Sequence, residues 1–507
     1  MSTDHASGAR ITIDPAFVVG PVRRRTFGSF VEHLGRCVYT GIHDPGHATA
    51  DEHGFRGDVV ELVKELGVST VRYPGGNFVS GYRWEDAIGP VEQRPRRLDL
   101  AWHSAEPNTV GIDEFMIWAG KAGVEPMMAV NLGTRGVQEA LDILEYANIA
   151  GGSTLSDARR ANGAEAPYGI KMWCLGNEMD GPWQTGHKTP EEYGRLAAET
   201  ARAMRQMQPD LELVACGSSG AAMPTFGAWE QTVLAEAYEQ VDLVSAHVYY
   251  YEEKGDLGSF LASAVNMDYF IDSVAATADA VRAAGKHEKR INISFDEWNV
   301  WYQDRAESRP PKGDDWPVAP MLLEDHYNVA DAVVVGNLLI SLLRHTDRVH
   351  SASQAQLVNV IAPIMTEPGG RAWKQTIFHP FALTSRHAKG EVLQVVLDSP
   401  TYETAKHGEV SLLDAVATFD AESDELAVFV VNRSQDGALP LTLALRDGDY
   451  TLIEALTYSN GDHMWQASAD DDTSVLPQAN SSASIADSSL TAELPPISWS
   501  MFRLARA

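Results

Sequence analysis

The chain has 507 residues, 44% of them hydrophobic, and a formal net charge of −30. That is ample material for a large core and more chain than one ordinary domain uses, so two domains, or a large barrel with an accessory domain, are expected. A polyanion of this size is a poor partner for nucleic acid or an anionic membrane; its acidity serves solubility and says nothing of substrate.

In chain order, Met1 to Pro15 lacks the basic stretch and apolar stretch of a signal peptide. Ala9 to Ile13 reads as a strand. From about residue 22 to 385, strand-like and helix-like segments alternate, with strands starting near Arg25, Ser69, Pro126, Lys171, Leu211, Val241, Arg290 and His350. Phe55, Val59, Leu62, Val63 and Leu66 fall on one helical face, and Gly67 stands where a C-cap glycine belongs. Thr189-Pro190-Glu191-Glu192 has the form of a helix start with a capping box. Tyr327 to Arg344 is a helix apolar on much of its circumference. Such alternation predicts a (β/α)8 barrel; the competing doubly wound sheet would carry a glycine-rich phosphate loop after its first strand, and none is present.

Beyond about residue 390 the pattern changes to short strands: Glu391–Leu397, Val410–Ala415, Glu425–Val431, Leu439–Leu445, Tyr450–Leu456 and Ile497–Leu504. They predict a C-terminal β-sandwich, to which Ala9–Ile13 adds a strand, with Ala467–Ser489 as a loop. The expected division is therefore a catalytic barrel over 22–385 and an accessory sandwich from 1–21 plus 386–507. No run of about 18 apolar residues predicts a membrane span. Cys37, Cys174 and Cys216 have neither disulfide nor zinc spacing, and a cytoplasmic location is expected.

Two segments carry chemistry. Trp173-Cys174-Leu175-Gly176-Asn177-Glu178 is an apolar strand ending in Asn-Glu, the fourth of the barrel. Ile291-Asn292-Ile293-Ser294-Phe295-Asp296-Glu297-Trp298-Asn299 is the seventh. The carboxyl ends of barrel strands form the active-site face, so the two glutamates would meet across the mouth. Glycoside hydrolysis needs such a pair, and a spacing of about 5 Å would make the enzyme retaining. Asp296 is a rival nucleophile. Strand alternation puts Asp296 and Glu297 on opposite faces, which does not choose between them. His43, His47, His53 and Asp44 are loosely spaced in a glycine-containing loop and read as solvated loop residues; no metal and no cofactor is expected. The loop Trp301–Pro320 either walls the cleft or is a surface insertion.

Further motifs stand along the chain: Phe27-Gly28-Ser29-Phe30-Val31-Glu32-His33-Leu34-Gly35-Arg36, Arg72-Tyr73-Pro74-Gly75-Gly76-Asn77-Phe78, Trp84, Trp102, Asn108, Gly111-Ile112-Asp113-Glu114-Phe115, His247-Val248-Tyr249-Tyr250 and Ala355-Gln356-Leu357-Val358-Asn359-Val360. With the two glutamate strands, in this order, the chain resembles glycoside hydrolase family 51 and its α-L-arabinofuranosidases. The resemblance implies Glu178 as acid/base and Glu297 as nucleophile. It implies Glu32, Asn77, Asn177 and Gln356 as ligands of the furanose hydroxyls, and Gln356 rather than Gln354, which shares its strand parity. Tyr249 would hold the nucleophile, Arg72 would lie beneath the site, and Trp102 would line the sugar pocket. It also implies an arabinofuranosyl oligosaccharide as substrate, exo action with retention, and a homo-oligomer, commonly a hexamer. The alternatives are another retaining glycosidase of the same barrel, such as an endo-β-glucanase or β-xylosidase, or an inactive carbohydrate-binding barrel.

Overall fold

The computed structural model describes residues 8–253, 255–303, 305 and 309–507. Eight parallel strands, Gly28–Phe30, Thr70–Tyr73, Glu125–Ala129, Met172–Leu175, Glu212–Ala215, Leu243–Tyr250, Asn292–Val300 and Val349–Gln354, pair in chain order and close last to first. The strands start within a few residues of the expected positions. Their near-continuous burial is what a parallel sheet covered by helices demands.

The connecting helices follow from local chemistry. Gly57–Leu66 buries Val59, Val60, Val63 and Leu66, and Gly67 ends it at φ 78°, a left-handed conformation. Pro190–Met207 opens on the capping box: Thr189 Oγ1 accepts from the Glu192 N–H, and Glu192 Oε2 accepts from the Thr189 N–H at 3.0 Å. Between barrel strands seven and eight runs Val329–Arg344, whose every residue from Val329 to Leu343 is buried. One side faces the barrel and the other faces the strands Leu413–Asp420, Glu425–Asn432 and Ser498–Arg506. A helix covered on two sides has no polar face to show.

Those strands belong to a ten-stranded sheet, ordered Gln478–Ala479, Tyr450–Tyr458, Ser498–Arg506, Glu425–Asn432, Leu413–Asp420, Glu391–Asp398, Ala9–Pro21, Leu439–Leu445, Ser489–Leu494, Ser484–Ala486. Ile11, Leu443 and Leu490 from one half share a single core with Val428, Phe502 and Leu504 from the other, so the sheet folds over itself into a β-sandwich. The N-terminal strand is longer than Ala9–Ile13. It runs antiparallel to Glu391–Asp398 on one side and parallel to Leu439–Leu445 on the other.

Two expectations differ from the structure. Val410–Ala415 is not one strand: Gly408–Ser411 closes a small hairpin with Thr401–Thr404, and Leu413–Asp420 enters the sandwich. Ala467–Ser489 is not all loop, because Gln478–Ala479 and Ser484–Ala486 form the two edges of the sheet. Edge strands of two and three residues are too short for hydrophobic alternation to show. Among the described residues no helix is long and apolar enough to cross a membrane.

Candidate active site

The carboxyl ends of the barrel strands and the loops beyond them carry all nine candidate residues, joined by hydrogen bonds into three groups, around Arg72, Glu32 and Glu178. Arg72, on strand two, is the centre of the first. Its Nη1 donates to Glu297 Oε1 at 2.7 Å and its Nη2 to Asn177 Oδ1 at 2.6 Å. Burial alone lowers the pKa of Arg72, but Asp296, Cys174 and Glu297 outweigh it and raise it well above the ordinary value, so the guanidinium stays charged beneath the site. Glu297 is held from its other oxygen by Tyr249, whose hydroxyl donates to Oε2 at 2.7 Å. Asn177 passes the order on, its Nδ2 donating to Asn77 Oδ1 at 3.3 Å.

Across the mouth stands Glu32, whose Oε1 accepts from the Phe78 N–H at 2.9 Å and from Trp102 Nε1 at 3.0 Å. Gln356 Nε2 donates to Glu32 Oε2 at 2.9 Å, whereas Gln354 turns away to Asn299. Burial pushes the Glu32 carboxyl up to about 8 in spite of the Phe78 and Trp102 donors. The Gly75-Gly76 pair makes room for this crowding. A Cβ on Gly75 would lie 2.3 Å from Glu32 Cγ, and one on Gly76 would lie 3.0 Å from Glu297 Oε1.

Glu178 follows strand four with φ 42°, a left-handed conformation that a non-glycine residue holds only where its surroundings enforce it. Its Oε1 faces His247 Nδ1 at 3.0 Å and its Oε2 accepts from Trp183 Nε1 at 2.7 Å. One ligand-type atom each from Glu178, His247 and Glu297 lie within 4.8 Å of one another. That trio has the donor set of a cation site, but both ring nitrogens of His247 are engaged, Nδ1 with Glu178 and Nε2 with Asp296 Oδ1 at 2.8 Å.

Asp296 and Glu297 do not alternate across the strand as expected. Ser294 pairs with Ser245 and Glu297 with His247, so Phe295 and Asp296 together oppose the single residue Ala246. The same extra residue shows on the other side, between Phe295↔Ala352 and Trp298↔Gln354. This β-bulge shifts the parity by one. Both carboxyls therefore point inward: Asp296 Oδ2 lies 3.9 Å from Arg72 Nε, below Glu297. Glu297 faces the mouth and Asp296 lies deeper, 1% exposed.

Sequence reasoning passed over three neighbours. His247 shares the strand face of Tyr249, two residues on, and that parity was a usable signal. Trp183 and Gln184 lie in an irregular turn after Glu178, where no periodicity exists to read. Gln184 Nε2 donates to Ser80 Oγ and its Oε1 accepts from Asn177 Nδ2 at 3.5 Å. The histidines weighed as loop residues have protein partners: His47 bonds Thr49 Oγ1 and the Gly370 carbonyl, both at 2.9 Å, and His43 meets Phe55 edge-on. In the loop Trp301–Pro320, residues 304 and 306–308 lie outside the described residues. Of the remainder, Trp301 meets Tyr249 edge-on, Trp316 stacks on His103 at 3.7 Å and the Pro317 carbonyl accepts from the Ala105 N–H, so the loop packs against Tyr249 and the segment that carries Trp102.

The chain matches two family descriptions, an α-L-arabinofuranosidase 1 domain over residues 62–284 and an α-L-arabinofuranosidase C-terminal domain over residues 296–498. It is 59% identical over 98% of its length to an intracellular exo-α-(1→5)-L-arabinofuranosidase of Streptomyces lividans, of which it covers 75%. It is 57% identical over 97% of its length to an exo-α-(1→6)-L-arabinofuranosidase of Bifidobacterium longum, of which it covers 96%. The solved structure of AbfB, a family 51 α-L-arabinofuranosidase from Bifidobacterium longum, superposes with a TM-score of 0.95 at 50% identity, covering 98% of this chain and 99% of that one.

Proposed function

Since the chain belongs to glycoside hydrolase family 51, the α-L-arabinofuranosidases, we propose that it removes terminal arabinofuranose from arabino-oligosaccharides by double displacement, with Glu178 as acid/base and Glu297 as nucleophile. The observation that carries this reading is the proximity of the two carboxyls, one oxygen of each within a 4.8 Å cluster. Oxygens this near support the close carboxyl spacing of a retaining pair, about 5–5.5 Å, over the roughly 6.5–9.5 Å at which an inverting pair admits water.

Glu297 attacks the anomeric carbon as the glycosidic bond breaks, and Glu178 gives its proton to the leaving oxygen. Water then attacks the glycosyl ester, loses its proton to Glu178, and frees Glu297. Arg72 and Tyr249 hold the two oxygens of Glu297 in place for attack, a positioning that removes much of the entropic barrier. Glu32, Asn77, Asn177 and Gln356 offer the mixed donors and acceptors that bind sugar hydroxyls, and a sugar lacking one would strand a buried polar group. Trp102 covers the pocket with its Nε1 tied to Glu32. The recessed site, with Glu32, Glu178 and Glu297 all buried, supports exo action.

Residues 22–385 are the catalytic barrel in this reading, and 1–21 with 386–507 the bracing sandwich. The intracellular description of the Streptomyces relative supports a cytoplasmic role on imported oligosaccharides. The hexamer implied by the family belongs to the same proposal and is read from the mass in solution.

A chromogenic aryl α-L-arabinofuranoside tests the reading beside the β-D-xyloside and β-D-glucoside. The arabinofuranoside is expected to turn over, and Glu297→Ala to lose at least about 10⁴-fold of it. Preference for either pyranoside would overturn the sugar assignment; a fully active Glu297→Ala would overturn the nucleophile.

A further inference from the structure

The bulge in strand seven puts a second carboxyl inside the barrel that the double displacement does not use. Asp296 Oδ1 accepts from His247 Nε2 at 2.8 Å, while its Oδ2 lies near Arg72 and Cys174. The opposite ring nitrogen, Nδ1, faces Glu178 Oε1 at 3.0 Å. The three side chains thus form a line from the floor of the barrel to the acid/base: Asp296, His247, Glu178.

We propose that Asp296 and His247 are the positioning pair of the acid/base: Asp296 fixes the Nε2 proton of His247, and Nδ1 then shares with Glu178 the single proton that is delivered to the leaving oxygen and recovered from water. The proposal rests on the reading of Glu178 as acid/base.

Hydrogen-bond capacity makes the case. With Nε2–H committed to Asp296, one proton remains between Nδ1 and Glu178 Oε1. It sits either on the ring, facing a carboxylate, or on the carboxyl, facing a neutral ring. The Trp183 indole has only a donor, and it occupies Glu178 Oε2 at 2.7 Å. The proton of Glu178 is therefore confined to the side that faces His247. The count is one mobile proton for the pair: it leaves with the aglycone oxygen as the glycosidic bond breaks, and a water proton replaces it as the ester is cleaved.

The groups facing His247 come from three strands. Glu178 and Asp180, just beyond strand four, and Asp296 and Glu297, on strand seven, act on the ring itself, while Cys174 on strand four and Arg72 on strand two lie against Asp296 behind it. Burial alone would strip His247 of its charge, but Glu297, Asp296 and Glu178 outweigh it and raise the ring to about 10. The pair therefore keeps its proton through neutral pH. Glu297 lies 3.7 Å from Nδ1 and loses its charge when it becomes the glycosyl ester. The hold on the shared proton thus weakens at the stage when Glu178 has to act as a base.

Asp296→Asn keeps the shape of the side chain and removes the charge that fixes the ring. The experiment measures pH profiles of kcat/KM on two substrates. An arabino-oligosaccharide leaves as an alkoxide and needs the proton. A 4-nitrophenyl arabinofuranoside leaves as a stable phenolate and needs it little in the first step. The expected result is an alkaline limb moved to lower pH by a unit or more, with a loss of about 10²-fold on the oligosaccharide and under about 10-fold on the aryl substrate. Equal losses on both substrates with an unmoved limb would overturn the proposal, because a merely structural defect acts that way. If Asp296→Asn does not fold, nitrogen NMR of histidine-labelled wild type decides. A His247 ring protonated on both nitrogens from pH 5 to 8 supports the pair, and one that titrates near its ordinary value overturns it. Azide rescue of Glu178→Ala tests the underlying reading separately, since it requires only that Glu178 be the acid/base.

Discussion

Glu32 accepts three hydrogen bonds, yet its burial holds its carboxyl near 8. A carboxyl whose folded value lies above its unfolded one binds its proton more tightly in the native state. Its contribution to stability is complete below about 4.5 and is lost as the pH rises through about 8. Glu32→Gln removes that dependence. Its amide oxygen can still accept from Phe78 and Trp102, and Gln356, whose Oε1 lacks a partner, can turn to accept from the new amide. The variant is expected to melt higher than wild type at pH 8 and with a flatter pH dependence, while arabinofuranoside turnover falls about 10²-fold. Scanning calorimetry from pH 5 to 8 checks it; a parallel pH dependence in the two proteins would contradict it. This is also the scale at which the sequence is most legible and least complete. Glu178 and Glu297 stand out because each ends an apolar strand. Asp296 does not resolve, because a one-residue bulge reverses the parity that alternation assumes, and a bulge leaves no mark in composition.

Among the elements, the helix Val329–Arg344 binds the two domains together. Gly336 sits where it passes closest to the sandwich, and a Cβ there would lie 2.3 Å from Trp499 Cδ1, a ring that is itself fully buried. One residue on, Asn337 Nδ2 donates to Asp414 Oδ2 at 2.7 Å, and Arg433 donates to Asn337 Oδ1 at 2.7 Å and to Asp414. Gly336→Ala forces these surfaces apart, and overpacking of this kind costs about 1–3 kcal/mol although alanine favours the helix itself. The expected outcome is a melting temperature lowered by several degrees with KM unchanged, since Gly336 faces Trp499 of the sandwich. The apolar run Val329–Leu343 signals a helix buried all round, and the Thr189–Glu192 box signals the start of another, because both effects are local. The edges of the sandwich stay hidden because Ser484–Ala486 turns only Ile485 toward the core, and one inward residue makes no pattern.

At the scale of the whole molecule, the strand Ala9–Pro21 holds the sandwich together. It lies between Glu391–Asp398 and Leu439–Leu445, so six strands stand on one side of it and three on the other. Deleting residues 1–21 separates these groups and uncovers Leu443 and Leu393 from the shared core. The truncated chain is expected to aggregate or to melt in two stages, where the full chain melts in one; a single transition at the original temperature would show that the strand is dispensable.

The placement of that strand also sets a timetable for synthesis. Thr12 pairs with Val396 and Ala444, several hundred residues downstream. At roughly 5–20 residues per second the ribosome takes about 20–90 s to supply both partners. For that interval Ile11 and Ile13 ride on an unpaired segment while the barrel emerges behind them. Assembly of the sandwich is thus a late event, and the nascent chain is most open to mispairing, or to capture by a holdase, at the end it made early.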